Sequence, residues 1–220
     1  MLLFIADLID KETVARLQAW LAEANFADGR KTAGADAAKV KNNEQVDSSD
    51  PQLADMQKLI TDTLWDHPLF NMAVRPSRIR PPLFSRYWPG MTYGNHVDNA
   101  LMGGMRTDVS MTLFLSDPAD YDGGELVIDS TAGEQEIKLP PGSAVIYPTT
   151  ALHRVAPVQR GQRLAAVTWA RSLVRDPAAR EILFDLETAQ IKLAEQHGKT
   201  PELDLISKTR ANLLRMWAED

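Results

Sequence analysis

The sequence predicts an α+β fold in which a β sandwich or jelly roll carries helices at both ends. Three observations lead there. From Arg78 onward, short apolar or alternating segments recur between Gly, Pro and Asp clusters, as the strands of a sandwich or jelly roll do. On either side of this stretch, apolar residues recur at helical spacing instead. The length of 220 residues suits one core with appendages better than two independent cores. These patterns divide the chain into an N-terminal helical and strand support region at 1–77, a β core at 78–174 and a C-terminal helical extension at 175–220.

The first expected helix covers 7–24, with Leu8, Ala15, Leu17, Trp20, Leu21 and Ala24 as its apolar stripe. Residues 26–30 break it, and the small polar stretch 31–45 fits either a strand or an ordered loop. A second helix is expected after Pro51, over 52–65, stopping before Pro68. The expected core strands are 83–87, 93–97, 108–115, 125–128, 135–139, 144–147, 153–158 and 164–170. Helical spacing returns at 178–196 and 205–218. The apolar residues of this last pair, Leu183 and Leu213 among them, must pack on the chain's own core or on a second copy, so a homo-oligomer is one expectation.

Composition removes several chemistries. Without cysteine there are no disulfides, zinc–thiolate sites, iron–sulfur clusters or thiol nucleophiles. A metal could use only oxygen ligands and the four histidines His67, His96, His153 and His197. A net charge of −6 argues against a nucleic-acid partner. No apolar run approaches the roughly 20 residues of a membrane span. The apolar opening lacks a basic flank and soon meets Asp7, unlike a signal peptide, so a cytoplasmic location is expected. His67, before Pro68, and His197, before Gly198, read as helix-end residues.

The sharpest feature is His96-Val97-Asp98. Alternate side chains of a strand share a face, so His96 and Asp98 point one way and Val97 the other. An imidazole and a carboxylate so placed supply two ligands of the facial triad that suits non-haem Fe(II), and His153, opening a segment after a strand and a turn, supplies the third. Chance often produces His-x-Asp, and on its own the motif is more often structural, with His96 a loop histidine bonded to Asp98 and His153 a satisfied core residue.

Arg163, ten residues beyond His153, strengthens the metal reading. If 160–162 form a three-residue loop, a hairpin pairs Gln159 with Arg163 and His153 with Trp169. His153 and Arg163 then share a face, roughly 20 Å apart at about 3.3 Å per residue. A five-carbon dicarboxylate could chelate iron at one end while the guanidinium grips the other through paired hydrogen bonds. A two-residue loop would put them on opposite faces. Tyr87 and Tyr93 precede His96 and could hydrogen-bond such a carboxylate, although core packing explains each as well.

Taken together, the run from Tyr87 to Asp98, Phe114-Leu115-Ser116-Asp117, Asp122-Gly123-Gly124-Glu125-Leu126, Pro141-Gly142-Ser143, Leu152-His153-Arg154-Val155 and Arg163 resemble the prolyl-4-hydroxylase-like 2-oxoglutarate dioxygenases. Within these, the chain is most similar to the bacterial PKHD-type (PiuC-like) hydroxylases, a resemblance that takes in Asp28 to Gly34, Val40-Lys41-Asn42-Asn43 and Asn212 to Trp217. The resemblance implies a double-stranded β-helix with iron at its open end, held by His96, Asp98 and His153, and 2-oxoglutarate on Arg163. It implies oxidative decarboxylation of 2-oxoglutarate to succinate and CO2, coupled through O2 to hydroxylation of a C–H bond, with L-ascorbate as reductant. It leaves the substrate open between a small molecule and a peptide or protein, in a family often associated with iron acquisition.

The segment 99–106, with Gly103-Gly104, reads as a solvated loop or as one closing over substrate through Arg106, and Lys41-Asn42-Asn43 could approach the barrel mouth. Arg78 and Arg80 fit the cleft or a surface edge. The alternative reading is a non-catalytic, cupin-like module sensing metal or 2-oxoglutarate with the same residues. Arg163 argues against a simple metal sensor, which needs no buried cation.

Overall fold

A computed structural model describes residues 1–219. Two antiparallel sheets face each other as a jelly roll. The larger runs in the order Leu3–Ile5, Ala144–Pro148, Val109–Phe114, Arg163–Ser172, Leu83–Tyr87, Glu44–Val46 and Phe26–Asp28, with Pro76–Ile79 also paired to Arg163–Ser172. The smaller runs Gly133–Ile137, Leu126–Ser130, His153–Val155, Thr92–His96 and Lys41–Asn42. Strands from the first 46 residues thus extend both sheets, where only a helix and an ambiguous polar stretch were expected.

Side-chain alternation in the larger sheet divides the core. Met111, Leu113, Ile146 and Ala166 face outward under the helices, packed with Leu17, Ile60 and Phe70. Phe114, Val145 and Tyr147 face inward against Leu126, Ile128 and Ile137 of the smaller sheet. Val109–Phe114 is buried along its whole length because both of its faces are covered, which is why it reads as an apolar run with little alternation.

Helix α1 (Lys11–Glu23) begins later than expected because Asp10 caps it, accepting from the Thr13 amide at 2.7 Å. Its buried stripe is Val14, Leu17 and Leu21, and Ala15, assigned to the stripe from sequence, is exposed. Helix α2 (Leu53–Asp66) buries Met56, Ile60 and Leu64, one turn apart. Pro68, read as a stop, instead begins helix α3 (Pro68–Val74), and the His67 ring caps it by accepting from the Phe70 amide at 3.3 Å. Helices α4 (Pro177–His197) and α5 (Pro201–Trp217) follow the last strand, with Leu213, Leu214 and Trp217 packed on Val174, Ala179 and Leu183.

The expected hairpin between His153 and Arg163 does not form. Proline cannot donate to a ladder, and at Pro157 the expected strand 153–158 splits. His153–Val155 stays in the smaller sheet, Val158–Arg160 pairs with Asp122–Gly123, and the chain crosses at Gly161-Gln162 into the larger sheet. Trp169 pairs with Ser110, not His153. His153 and Arg163 therefore lie on opposing sheets, and the along-strand spacing of roughly 20 Å does not apply to them.

Candidate metal centre and cosubstrate pocket

His96 ends its strand and pairs directly with His153 across the smaller sheet. Their ring centroids lie 4.2 Å apart, and His153 Nε2 stands 3.9 Å from Asp98 Oδ2. One ligand atom from each of His96, Asp98 and His153 falls within 4.8 Å of the others, a spacing that could hold a metal ion. Backbone and side chains fix these atoms. The Nδ1–H groups of His96 and His153 donate to the Gly94 and Ala151 carbonyls at 2.9 and 3.0 Å, which fixes each ring and leaves its Nε2 for another partner. Ser110 donates to Asp98 Oδ2 at 2.6 Å. Burial, then the neighbouring His153, pushes the His96 imidazole down to about 4, so it is a neutral donor near pH 7.

The cluster opens into a cavity of about 500 Å³ between the sheets. Arg163 lies in the same cavity wall, 2% exposed. Its guanidinium carbon sits 5.1 Å from the Tyr87 ring and 5.5 Å from the Phe114 ring, between two aromatic faces. Its Nε has no hydrogen-bond partner. Gly124, at φ +68°, makes room for it, since a β-carbon there would meet Arg163 Cδ at 3.1 Å. Tyr87 is buried beside Arg163, and burial pushes its phenol up despite the nearby cation. Tyr93 stacks on His96 with centroids 3.6 Å apart. All six residues singled out from sequence thus border one cavity.

A family model described as the 2OG-Fe(II) oxygenase superfamily matches residues 82–171, and one described as the PKHD-type hydroxylase C-terminal domain matches 178–219. A PKHD-type hydroxylase of Acaryochloris marina (strain MBIC 11017) is 51% identical over 219 residues, covering 100% of both chains. The chain belongs to the PKHD-type hydroxylases. Its core shares a fold with a Pseudomonas putida prolyl-4-hydroxylase (TM-score 0.55, 19% identity, 78% of this chain and 92% of that one). It also shares a fold with a Trichoplax adhaerens prolyl hydroxylase solved with a hypoxia inducible factor peptide fragment (TM-score 0.58, 16% identity, 77% and 82%). As a 2OG-Fe(II) oxygenase, this PKHD-type hydroxylase uses Fe(II), 2-oxoglutarate and O2.

Two residues at the hydroxylase's site, Thr112 in the cavity wall and Ser110 against Asp98, escaped the sequence reading. Ser110 and Thr112 are buried polar residues alternating with Met111 and Leu113, and two hydroxyls on one face of an apolar strand were a usable signal. Lys41 and Asn43 do reach the cavity, as does Arg80, whereas Arg78 is exposed. Residues 99–106 form a hairpin, Leu101–Met102 with Met105–Arg106, turning on Gly103 and Gly104 at positive φ. Arg106 points away from the cavity, bound to Asp108 at 2.8 Å and Glu219 at 2.7 Å, so it is not placed for substrate.

Proposed function

We propose that His96, Asp98 and His153 hold the Fe(II) of this hydroxylase and that Arg163 binds the far carboxylate of 2-oxoglutarate, with Tyr87 and Tyr93 lining its path. Arg163 carries the reading. It is a buried cation with an unused donor, in the cavity that also receives two imidazoles and a carboxylate. Burying an unpaired charge is costly unless an anion joins it, and a carboxylate fits the planar guanidinium fork. The donor set fits as well, since two neutral imidazoles and one carboxylate suit Fe(II).

Bound iron and 2-oxoglutarate would supply the oxidising chemistry with O2, and the chain supplies position and dryness. The Gly94 and Ala151 carbonyls orient the two rings, Ser110 turns Asp98, and Gly124 leaves Arg163 its space. Tyr87 stands at the Arg163 end of the cavity and Tyr93 at the His96 end. The reading includes ascorbate as reductant on the strength of the resemblance alone. The substrate is a small molecule or a peptide, and the peptide bound to the Trichoplax enzyme keeps the second option in view.

Purified protein with Fe(II), ascorbate and 2-oxoglutarate is expected to form succinate and to show a visible absorption band requiring both metal and 2-oxoglutarate. His96→Ala should abolish both. Arg163→Met should raise the half-saturating 2-oxoglutarate concentration about 100-fold, on the scale of losing one buried charge pair. Absence of succinate and band from the unaltered protein would instead leave a non-catalytic metal-binding module.

A further inference from the structure

The segment 41–45 alternates into the cavity. Lys41, Asn43 and Gln45 are buried and line it, while Asn42 is exposed and Glu44 is half-buried. Strand Lys41–Asn42 pairs with Thr92–His96, the strand that delivers His96, so this edge lies beside the metal cluster. Gln45 has structural partners on both amide atoms, Thr32 Oγ1 and Ser85 Oγ. Lys41 is different. The Lys41 ammonium donates to Thr32 Oγ1 at 3.1 Å and, among the described residues, forms no ion pair. Asn43 is 4% exposed, with its side chain against Gly29 and beside the Tyr87 phenol.

Charge sharpens the point. Four cationic side chains line the cavity, Lys31, Lys41, Arg80 and Arg163, against the single carboxylate of Asp98. On the reading under Proposed function, on which this inference rests, Asp98 and the two carboxylates of 2-oxoglutarate balance Fe(II) and Arg163. Lys31 is exposed to solvent, and Arg80 donates to the Met102 carbonyl at 2.5 Å. Lys41 is left as a buried cation without an ion pair among the described residues, and burial pulls it down to about 8, with the Asp98 and Asp28 carboxylates offsetting part of that cost. Burying an ammonium is costly unless an anion joins it.

We infer that Lys41 forms a second anion site that takes a carboxylate of the substrate to be hydroxylated. The two cations stand over different rings. Arg163 lies by Tyr87 and Phe114, whereas Lys41 Nζ is 4.9 Å from the ring of Tyr93, which stacks on His96. A substrate anchored at Lys41 therefore lies beside Tyr93 and the metal cluster. A single ammonium matches a monoanionic carboxylate, whereas a phosphate dianion calls for more donors, and the one proton of the Thr32 hydroxyl is already given to the chain itself.

The test uses the full chain loaded with Mn(II) and saturating 2-oxoglutarate, with hexanoate as probe and paramagnetic broadening of its proton resonances as readout. Hexanoate is expected to bind about tenfold or more tightly than uncharged hexanamide, the difference one buried charge pair supports. Lys41→Met should remove that preference, and Lys41→Arg should restore it. A capped Gly-Glu-Gly peptide tells whether a carboxylate carried on a peptide is taken as well as a free one. Equal broadening by hexanoate and hexanamide on the unaltered protein overturns the inference without any variant, as does full hexanoate binding by Lys41→Met. Broadening of the 2-oxoglutarate protons reports the underlying reading separately. If 2-oxoglutarate is broadened and hexanoate is not, only the Lys41 site falls, and if neither is broadened both readings fall.

Discussion

Arg163 lies between the rings of Tyr87 and Phe114 with an idle Nε, and this arrangement opposes stability in the absence of ligand. Replacing a buried uncompensated charge by an apolar side chain of similar length is often neutral or stabilising, by about 1–4 kcal/mol. Arg163→Met is therefore expected to raise the urea midpoint of the 2-oxoglutarate-free protein while abolishing the further rise that 2-oxoglutarate produces. A variant less stable than the parent, yet still stabilised by 2-oxoglutarate, would show that the guanidinium already has its partners within the chain. At this scale much of the site was legible. His96 and His153 stand on strands as expected, whereas Asp98 reaches the cavity from just beyond the strand that His96 ends. Arg163 borders the cavity, though not through the expected hairpin, because Pro157 breaks the strand that hairpin needed. The bond from Ser110 to Asp98 was not legible, since the alternation that marks a buried hydroxyl does not show which distant residue it will meet.

Elements were legible where one face is buried and the alternation is clean. Leu83–Tyr87 has the expected bounds, and Ala144–Pro148 differs by one residue. The misses share a cause. Strands of two or three residues at the sheet edges, such as Leu3–Ile5 and Phe26–Asp28, are too short to show a period and form only because a neighbour offers a ladder. The hairpin 101–106 is held by tertiary contacts of the same kind. Arg106 binds Asp108 at 2.8 Å, Glu219 at 2.7 Å and the Ser172 carbonyl at 3.2 Å, tying the hairpin to the last strand and to the residues after α5. Arg106→Ala would leave the half-buried Asp108 without its cation and is expected to cost about 1–3 kcal/mol, the usual penalty for removing one partner of a charged hydrogen bond. Urea unfolding checks the magnitude. Loss of protection from hydrogen exchange in both 101–106 and α5 would show that the two are coupled through Arg106, and loss in only one would refute that coupling.

For the molecule as a whole, the metal site should govern how stability depends on pH. His96 has an ordinary value of 6.5 and is held down to about 4 in the fold, chiefly by burial and then by His153. For a base lowered in this way, the unfolded chain takes up the proton first as pH falls, so folding weakens between about pH 6.5 and 4 and is independent of this group above that window. The metal-free protein should therefore melt at progressively lower temperature across the window. His96→Gln, which cannot titrate, should flatten the slope while leaving contributions from other groups in place. A divalent metal adds to this dependence, since it binds neutral imidazole and competes with the same proton. At a hundred times its dissociation constant it stabilises by about 2.7 kcal/mol. Mn(II) should thus raise the melting temperature near pH 7.5, do so less near pH 5, and have no effect on His96→Gln at either. Equal pH slopes in the parent and His96→Gln proteins would show that His96 does not govern acid stability, and an undiminished Mn(II) effect near pH 5 would place the metal on groups other than the two imidazoles.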